Sequence, residues 1–411
     1  MANILDVNRP VVQDDSIYRY QYHIVAPQTG TSLEHNGEII LEISNKNLYT
    51  LPSESFILLT GTFKTTNGGQ TTNSRLNNNA FAFLFEDIRY SLNGVEIDKT
   101  NKLGIATTIK NYVSVGSCDM PSMVAAGWDP LGKHSSRVST DARFFCMSTF
   151  EKITGFAEDY KKVIFYARQT LTLLRSSTDK NSYRKTDPAK APDDAEFKIN
   201  EINWYVPFIT PGDKEKLHLL GLANKSAWLS VPFRTWELAE HSSMPDSANS
   251  HTWAIKSSSQ LEKPRYVIVG FQTDRKENLA KNAAEFDTVN LRDVKLFIDD
   301  ECYPYINLNL DFSKSKYAFL YHMYATFRES YYQKCATPPL SIDEFRAKAP
   351  LVVIDCSRQN DKIKNGSVSF RLEIRANQNF PANTRAFALI IHDRIIRYNL
   401  MTEVVDRLNS I

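Results

Sequence analysis

The sequence predicts an all-β chain: a tandem double jelly roll, two eight-stranded antiparallel β-sandwiches, each with an inserted helix and long loops. Two observations predict it. Between Pro264 and Pro304 the chain reads PRYVIVGFQT and then LRDVKLFIDDECYP. The first is a β-branched and aromatic run; in the second, Val294, Leu296 and Ile298 alternate with Asp293, Lys295 and Phe297 before an Asp299-Asp300 turn. The chain also carries an earlier copy, SFILLTGTFK followed by FEDIRYSLNGVEID. Phe85 falls on Leu291 at an offset of 291 − 85 = 206, and Gly61 on Gly270 at 270 − 61 = 209. Two matches at nearly one offset indicate a duplication half the chain long.

The elements follow in order. Residues 1–31 are polar, with a Tyr18-Arg19-Tyr20-Gln21-Tyr22 alternation, and read as an arm ordered against a neighbour or as a frayed terminus. Strands are expected at Glu38–Ile43 and Phe56–Phe63, then an exposed loop over 65–79. Asn93-Gly94 between alternating residues is a strong hairpin signal. A helix over 101–115 follows, and its counterpart is a tyrosine-rich helix over 313–332 with Ser313 as N-cap. Residues 116–160, broken by Pro121, Gly127, Pro130, Gly132 and Gly155, read as a surface excursion. Strand character returns at 161–174 and 197–208, which match 351–359 and 387–398 at an offset of 190. The stretch 175–194 reads as a charged loop and 211–223 as a short amphipathic helix with Pro211 near its start. A strand over 228–238 opens the second half. Each half then offers seven or eight strands and one helix, as a jelly roll requires. The predicted division is an arm 1–31, a first jelly roll 32–210, a linker 211–227, a second jelly roll 228–399 and a tail 400–411.

Bulk properties narrow the function. The 411 residues carry 49 basic against 47 acidic side chains, too even a balance for a protein that coats nucleic acid. No apolar run approaches a membrane span, and the N-terminus lacks the basic and apolar regions of a signal peptide, so secretion by that route is not expected. Five widely spaced cysteines without a CxxC read as reduced thiols, and the sequons at Asn224 and Asn365 as idle.

The PRYVIVGFQT run preceded by Leu261-Glu262-Lys263, the LRDVKLFIDDECYP hairpin, the tyrosine-rich helix and Phe233-Arg234-Thr235-Trp236-Glu237-Leu238 resemble the double jelly-roll proteins of adintoviruses and Polinton (Maverick) elements. The resemblance covers most of the chain and is strongest over 200–400. It implies a major capsid protein: a homotrimer of pseudo-hexameric outline tiling an icosahedral shell around double-stranded DNA, located in the virion. Its partners would be itself and a penton or minor capsid protein, without strong direct nucleic-acid binding. The arm as an inter-subunit contact rests on this resemblance alone.

No enzyme motif stands beside it: GxSxG, GxGxxG, GxxxxGK[ST] and HExxH are all missing from the sequence. No catalytic, cofactor-binding or metal residue is expected, and no cofactor. His241 and His251, with Asp246 between them, read as exposed loop histidines; Asp299-Asp300-Glu301 reads as a turn. His392-Asp393 is the one His–carboxylate pair in a strong strand, too few ligands for a cupin-type site. The aromatics Tyr317 to Tyr332 read as packing over a sheet edge or subunit contact. Lys180, Arg184, Lys185 and Lys190 sit among Asp179, Asp187, Asp193 and Asp194 as a solvated mixed-charge loop. The competing class is a two-domain binding module that recognises a ligand through its loops and forms no shell.

Overall fold

The computed structural model describes residues 16–45, 48–132, 142–224, 228–255, 264–298, 301–335, 337–358 and 370–408. Among them, sixteen strands build two sandwiches. The first holds β1 (Ile17–Val25), β2 (Glu38–Ile43), β3 (Phe56–Thr65), β4 (Phe85–Leu92), β5 (Val95–Asn101), β6 (Arg143–Thr149), β7 (Gln169–Arg175) and β8 (Ala195–Pro211). The second holds β9 (Trp228–His241), β10 (Ser250–Ile255), β11 (Pro264–Thr273), β12 (Leu291–Ile298), β13 (Glu301–Tyr303), β14 (Val352–Asp355), β15 (Phe370–Ala376) and β16 (Thr384–Asn399). Sheet orders are β1-β8-β3-β6 and β2-β7-β4-β5 in the first, β9-β16-β11-β14 and β10-β15-β12-β13 in the second. Each strand of the first sandwich thus has a partner eight places on, and every pairing is antiparallel. This is the jelly-roll arrangement, made twice.

The duplication extends to irregularities. β4 shifts register between Phe85 and Asp87 against β7, and β12 shifts between Leu291 and Asp293 against β15. The same bulge stands at the same place in both halves, at the offset of 206 read from the sequence. Asn93 (φ 48°) and Gly94 (φ 81°) are both left-handed, the backbone that a two-residue hairpin needs. β8 and β16 are equivalent strands, but their register differs from the offset of 190. Ile199 lies opposite Gly61 and Phe387 opposite Gly270, giving 387 − 199 = 188. Beyond a bulge in β8 the offset is 187, because Trp204 lies opposite Ile57 and Ile391 opposite Tyr266.

Alternating side chains fill each sandwich. In β3, Ile57, Leu59 and Phe63 point inward and are fully buried, with Trp204 of β8 beside Ile57; from the facing sheet come Ile88, Tyr90, Leu171 and Leu173. The second core is built around Val267 to Phe271, Val294, Leu296, Leu372, Ile374 and Ala386 to Ile391. β11 and the middle of β16 are buried on both faces, hence their unbroken apolar runs.

Several expectations need correction. Residues 116–132 and 142–160 are not a mere surface excursion: β6 pairs with β3, and Trp128, Phe144, Phe150 and Phe156 are buried; 133–141 lie outside the described residues. Phe144 and Cys146 face inward while Phe145 is exposed, so apolar residues on both faces hid the alternation. Because β6 and β14 are the equivalent strands, the match of Val163-Ile164 to Val353-Ile354 is a coincidence; Ile164 makes only an isolated bridge to Thr50. Residues 17–25 of the arm are β1, hydrogen-bonded along β8; residues 1–15 lie outside the described residues. The second helix starts at Ala318, because Ser313 is held in a turn by Asp311 and Tyr317 occupies the N-cap. Part of the tail, Val405–Leu408, pairs with β16. The 175–194 loop contains Tyr183–Lys185, which pairs with Ser74–Leu76. Pro211 ends β8, and the helix runs Asp213–Asn224. The Asp299-Asp300 turn, Leu261-Glu262-Lys263, the Asn365 sequon and most of that at Asn224 lie outside the described residues.

Candidate assembly surface and the seam between the barrels

The two barrels do not merely abut. Helix α1 (Leu103–Ser114) follows the β4–β5 hairpin and anchors Leu103 in the first core, yet Ala106, Ile109, Tyr112 and Val113 pack into the second. Conversely, Val231 and Phe233 of β9 belong to the first core, where Phe233 meets Phe156 edge-on at 5.3 Å. A short helix α2 (Gly155–Asp159) fits under β9, and a Cβ on Gly155 would stand 2.0 Å from the Arg234 carbonyl oxygen. Only glycine permits that approach.

Polar groups complete the seam. Lys110, with its side chain 2% exposed, donates to Glu158 at 2.6 and 2.9 Å and to the Tyr332 hydroxyl at 2.6 Å. Its ammonium lies 4.6 Å from the Trp236 ring centroid and 5.0 Å from that of Tyr331. Burial pulls the Lys110 ammonium below the ordinary lysine range, against the opposing pull of Glu158. Arg234 clasps Asp159 through two nitrogens at 2.8 and 2.6 Å, Thr235 donates to Asp98 at 2.5 Å, and Asn101 exchanges hydrogen bonds with the Leu238 backbone. The tyrosines come from α4, the helix Ala318–Tyr332 (α3 being Asp213–Asn224), so its aromatic end closes this seam.

Among the described residues, nothing covers the equivalent surface at the other side of the first barrel. Tyr22 lies opposite Pro207 in β8, and the offset of 187 carries Pro207 to Arg394, which lies opposite Phe233. By the same route Tyr20, opposite Ile209, stands where Val231 stands. Val231 and Phe233 are each 4% exposed under the first barrel, whereas Tyr20 and Tyr22 are 40% and 47% exposed. Tyr18 and Ile24 extend the stripe at 85% and 59%. The helices show the same asymmetry: α1 is buried along nearly its whole length, while α4 leaves Ala318, Phe319, His322, Glu329 and Ser330 exposed.

Residues singled out in the sequence fall as follows. His241 ends β9 and His251 lies in β10; the pair is half-buried at the corner between two sheets, Nε2 to Nε2 at 3.1 Å, not on a loop. Asp246 is exposed on the connecting loop, and among the described residues no group of three or more candidate ligands stands together. Glu301 accepts from the Tyr303 hydroxyl at the start of β13. His392 is buried in β16, and Asp393 faces outward to Arg265 at 2.5 Å. In α4, Tyr324, Phe327 and Tyr331 pack inward, the last two against Tyr266. The mixed-charge loop is solvated at Lys180, Lys190 and Asp194 but tied down elsewhere: Asp179 is buried on Arg175, and Asp193 accepts from the Thr72 and Asn73 backbone. Sequence reasoning missed the Lys110–Glu158–Arg234 cluster, whose members lie 48 and more residues apart and share no spacing signal.

The histidine pair makes a prediction. Burial, and then the neighbouring His241, lower the His251 pKa, so the folded state resists its protonation. A depressed histidine contributes stability that is complete above its unfolded pKa of about 6.5 and lost as pH falls through the lower folded value. His251→Gln is expected to flatten the fall in melting temperature between pH 7 and pH 5. Parallel melting curves for variant and parent across that range would refute the coupling.

The model of the double jelly roll-like domain family matches residues 74–396. The backbone superposes on a chain of the Sputnik virophage with a TM-score of 0.66 at 10% identity, covering 99% of this chain and 92% of that one. Against the PBCV-1 virus capsid the TM-score is 0.63 at 11% identity, covering 98% and 99%. Against the mavirus major capsid protein it is 0.56 at 10% identity, covering 100% and 93%. Identities this low speak for the fold. No curated protein matches by sequence.

Proposed function

The chain belongs to the double jelly roll-like domain family, and from that premise we propose that it is a viral major capsid protein, a non-catalytic building block of the virion. The observation that carries this reading is the uncovered stripe of β1. Inside one chain, β9 lays Val231 and Phe233 on the first barrel. In a ring of three chains the same contact is available three more times, with β1 of one chain lying on the second barrel of the next and the exposed face of α4 closed in turn. Three two-barrel subunits so joined present six similar wedges, a pseudo-hexameric capsomer that packs into an icosahedral shell. Closed symmetry ends the assembly at three, and many weak contacts between capsomers then hold the shell.

The two units, 32–210 and 228–399 joined by 211–227, would work as one rigid block, since each core borrows side chains from the other half. In this reading β1 joins the first unit. The adintovirus or Polinton type is favoured by the hairpin and strand sequences quoted above. Enclosure of double-stranded DNA and a separate penton protein belong to the same reading, with the near-neutral charge supporting a shell that does not grip its genome tightly.

The test is mass photometry and negative-stain microscopy on the purified chain. The expected result is a trimer near three times 46.9 kDa with a hexagonal outline, or whole shells. A monomer that persists across salt and pH would overturn it and move the loops, as a binding surface, to the front.

A further inference from the structure

A second cleft lies between the barrels, beside the ribbon of Ser74–Leu76 and Tyr183–Lys185. That ribbon sets Arg75 directly across from Arg184. Residues in that relation share a face, and like charges there destabilise the pair. Both arginines line a cavity of about 490 Å³ whose far wall is the second barrel, including Glu285 and Lys348. Among the described residues neither guanidinium makes an ion pair, and Arg184 Nε is buried without a hydrogen-bond partner.

The carboxylates in the cavity are already occupied. Glu285 accepts from Asn282 at 3.1 Å and faces Arg275 at 3.5 Å, and Asp129 accepts from the Gly132 backbone at 3.0 Å. Lys348 is moored at the rim by donating to the Pro130 carbonyl at 2.7 Å, which leaves two of its three protons available. Burial, and after it Arg75, pull the Arg184 guanidinium below its usual range, against a weaker opposing pull from Glu285. A half-buried arginine with an idle donor, opposite another arginine, is the signature of a place where an anion completes the charge balance.

We propose that Arg75, Arg184 and Lys348 form a binding site for a phosphate-type oxyanion in the cleft between the two barrels. The guanidinium forks suit bidentate contact with tetrahedral oxygens, and the ammonium supplies a third point. The volume suits a pyrophosphate or the polyphosphate tail of a nucleotide; a nucleic acid could offer only a backbone phosphate at the mouth. Bound there, the anion would bridge the barrels at a second place and stiffen the block. The site is independent of whether the chain assembles.

The experiment titrates inorganic pyrophosphate into the full chain in low-salt, phosphate-free buffer, reading calorimetry and thermal unfolding. One saturable site per chain and a raised melting temperature are expected. Arg184→Gln and Arg75→Gln should each weaken binding about ten- to a hundredfold, the loss of a charge-assisted hydrogen bond. Without anion, Arg184→Gln should melt at or above the parent, because the opposed charges are relieved. A parallel titration with short duplex DNA at matched phosphate separates the sources. Competition with pyrophosphate and loss in Arg184→Gln assign a backbone phosphate; no effect of either assigns the small anion. Equal pyrophosphate binding by parent and variants, no saturable binding up to about 1 mM, or an Arg184→Gln chain that is destabilised without anion would each overturn the site.

Discussion

Glu158→Ala is expected to destabilise the chain by about 3–5 kcal/mol, the cost of leaving a buried charge without its partner. The Lys110 ammonium it strands is 2% exposed and lies beneath the rings of Trp236, Tyr331 and Tyr332. Those rings offset part of the loss, at about 1–2 kcal/mol for a desolvated cation, but they cannot replace two hydrogen bonds to a carboxylate. The reverse change should be milder. In Lys110→Met, Glu158 still accepts from the Tyr331 and Tyr332 hydroxyls. The double variant Lys110→Met/Glu158→Leu removes both charges and should recover most of the stability lost in Glu158→Ala. Because Glu158 also accepts from Tyr331 and Tyr332 of the second half, Glu158→Ala should also split urea unfolding into two transitions where the parent shows one. A Glu158→Ala chain within about 1 kcal/mol of the parent, unfolding in one step, would show that the apolar contacts alone hold the barrels together.

What the sequence disclosed and what it withheld divide along a physical line. Elements whose identity rests on neighbours in the chain were legible. Asn93-Gly94 announces its hairpin because both positions need positive φ; PRYVIVGFQT announces a strand buried on both faces. The duplication was legible in the paired hairpins, but the bulge the two copies share was not, because it shows only in the register of β4 on β7 and of β12 on β15. Features that depend on a distant partner were not. β1 alternates as a strand should, but its pairing partner lies 179 (204 − 25) to 194 (211 − 17) residues on, at 204–211, and nothing local distinguishes it from an arm. β6 carries apolar residues on both faces and sits among glycines and prolines, so its pairing with β3 outweighed weak local signals. Two short coincidences, Val163-Ile164 with Val353-Ile354 and Arg168-Gln169 with Arg358-Gln359, then drew the offset towards 190.

The seam was the least legible part. Lys110 in TIKNY reads as an exposed position on an amphipathic helix, and it is exposed on an isolated α1; the second barrel buries it. Gly155 reads as a helix breaker in a loop, whereas its missing Cβ admits the Arg234 carbonyl. The histidine pair stands between these cases. Ten residues separate His241 from His251, a length that a strand, a corner and a second strand can fold back on itself, so the proximity was available once β9 and β10 were placed in different sheets.

Tyr20→Asp/Tyr22→Asp should leave the chain folded and end its assembly. In the free chain the two side chains sit on an edge strand, 40% and 47% exposed; the substitutions give up the Tyr20 hydroxyl's bond to Glu54 at 2.5 Å, the Tyr22 hydroxyl's bond to the Glu54 carbonyl at 3.3 Å and the Tyr22–Phe56 ring contact at 5.5 Å. Losses of this kind should cost about 1–2 kcal/mol, within the range of ordinary point changes. In the ring, the same positions take the place of Val231 and Phe233, and each carboxylate would be buried without a partner. A truncated or charged aromatic at such a position typically costs about 2 kcal/mol or more, roughly thirtyfold in affinity per side chain. Two per contact and three contacts per ring make the loss effectively complete at working concentrations. Gln21→Glu is the control: it adds a negative charge to the same strand, on the face opposite the stripe. Folded monomers from the double variant beside trimers from Gln21→Glu would fix the ring's geometry. Trimers from both would move the contact elsewhere on the barrel, and loss in both would mean that charge on this edge, not the tyrosine stripe, governs association.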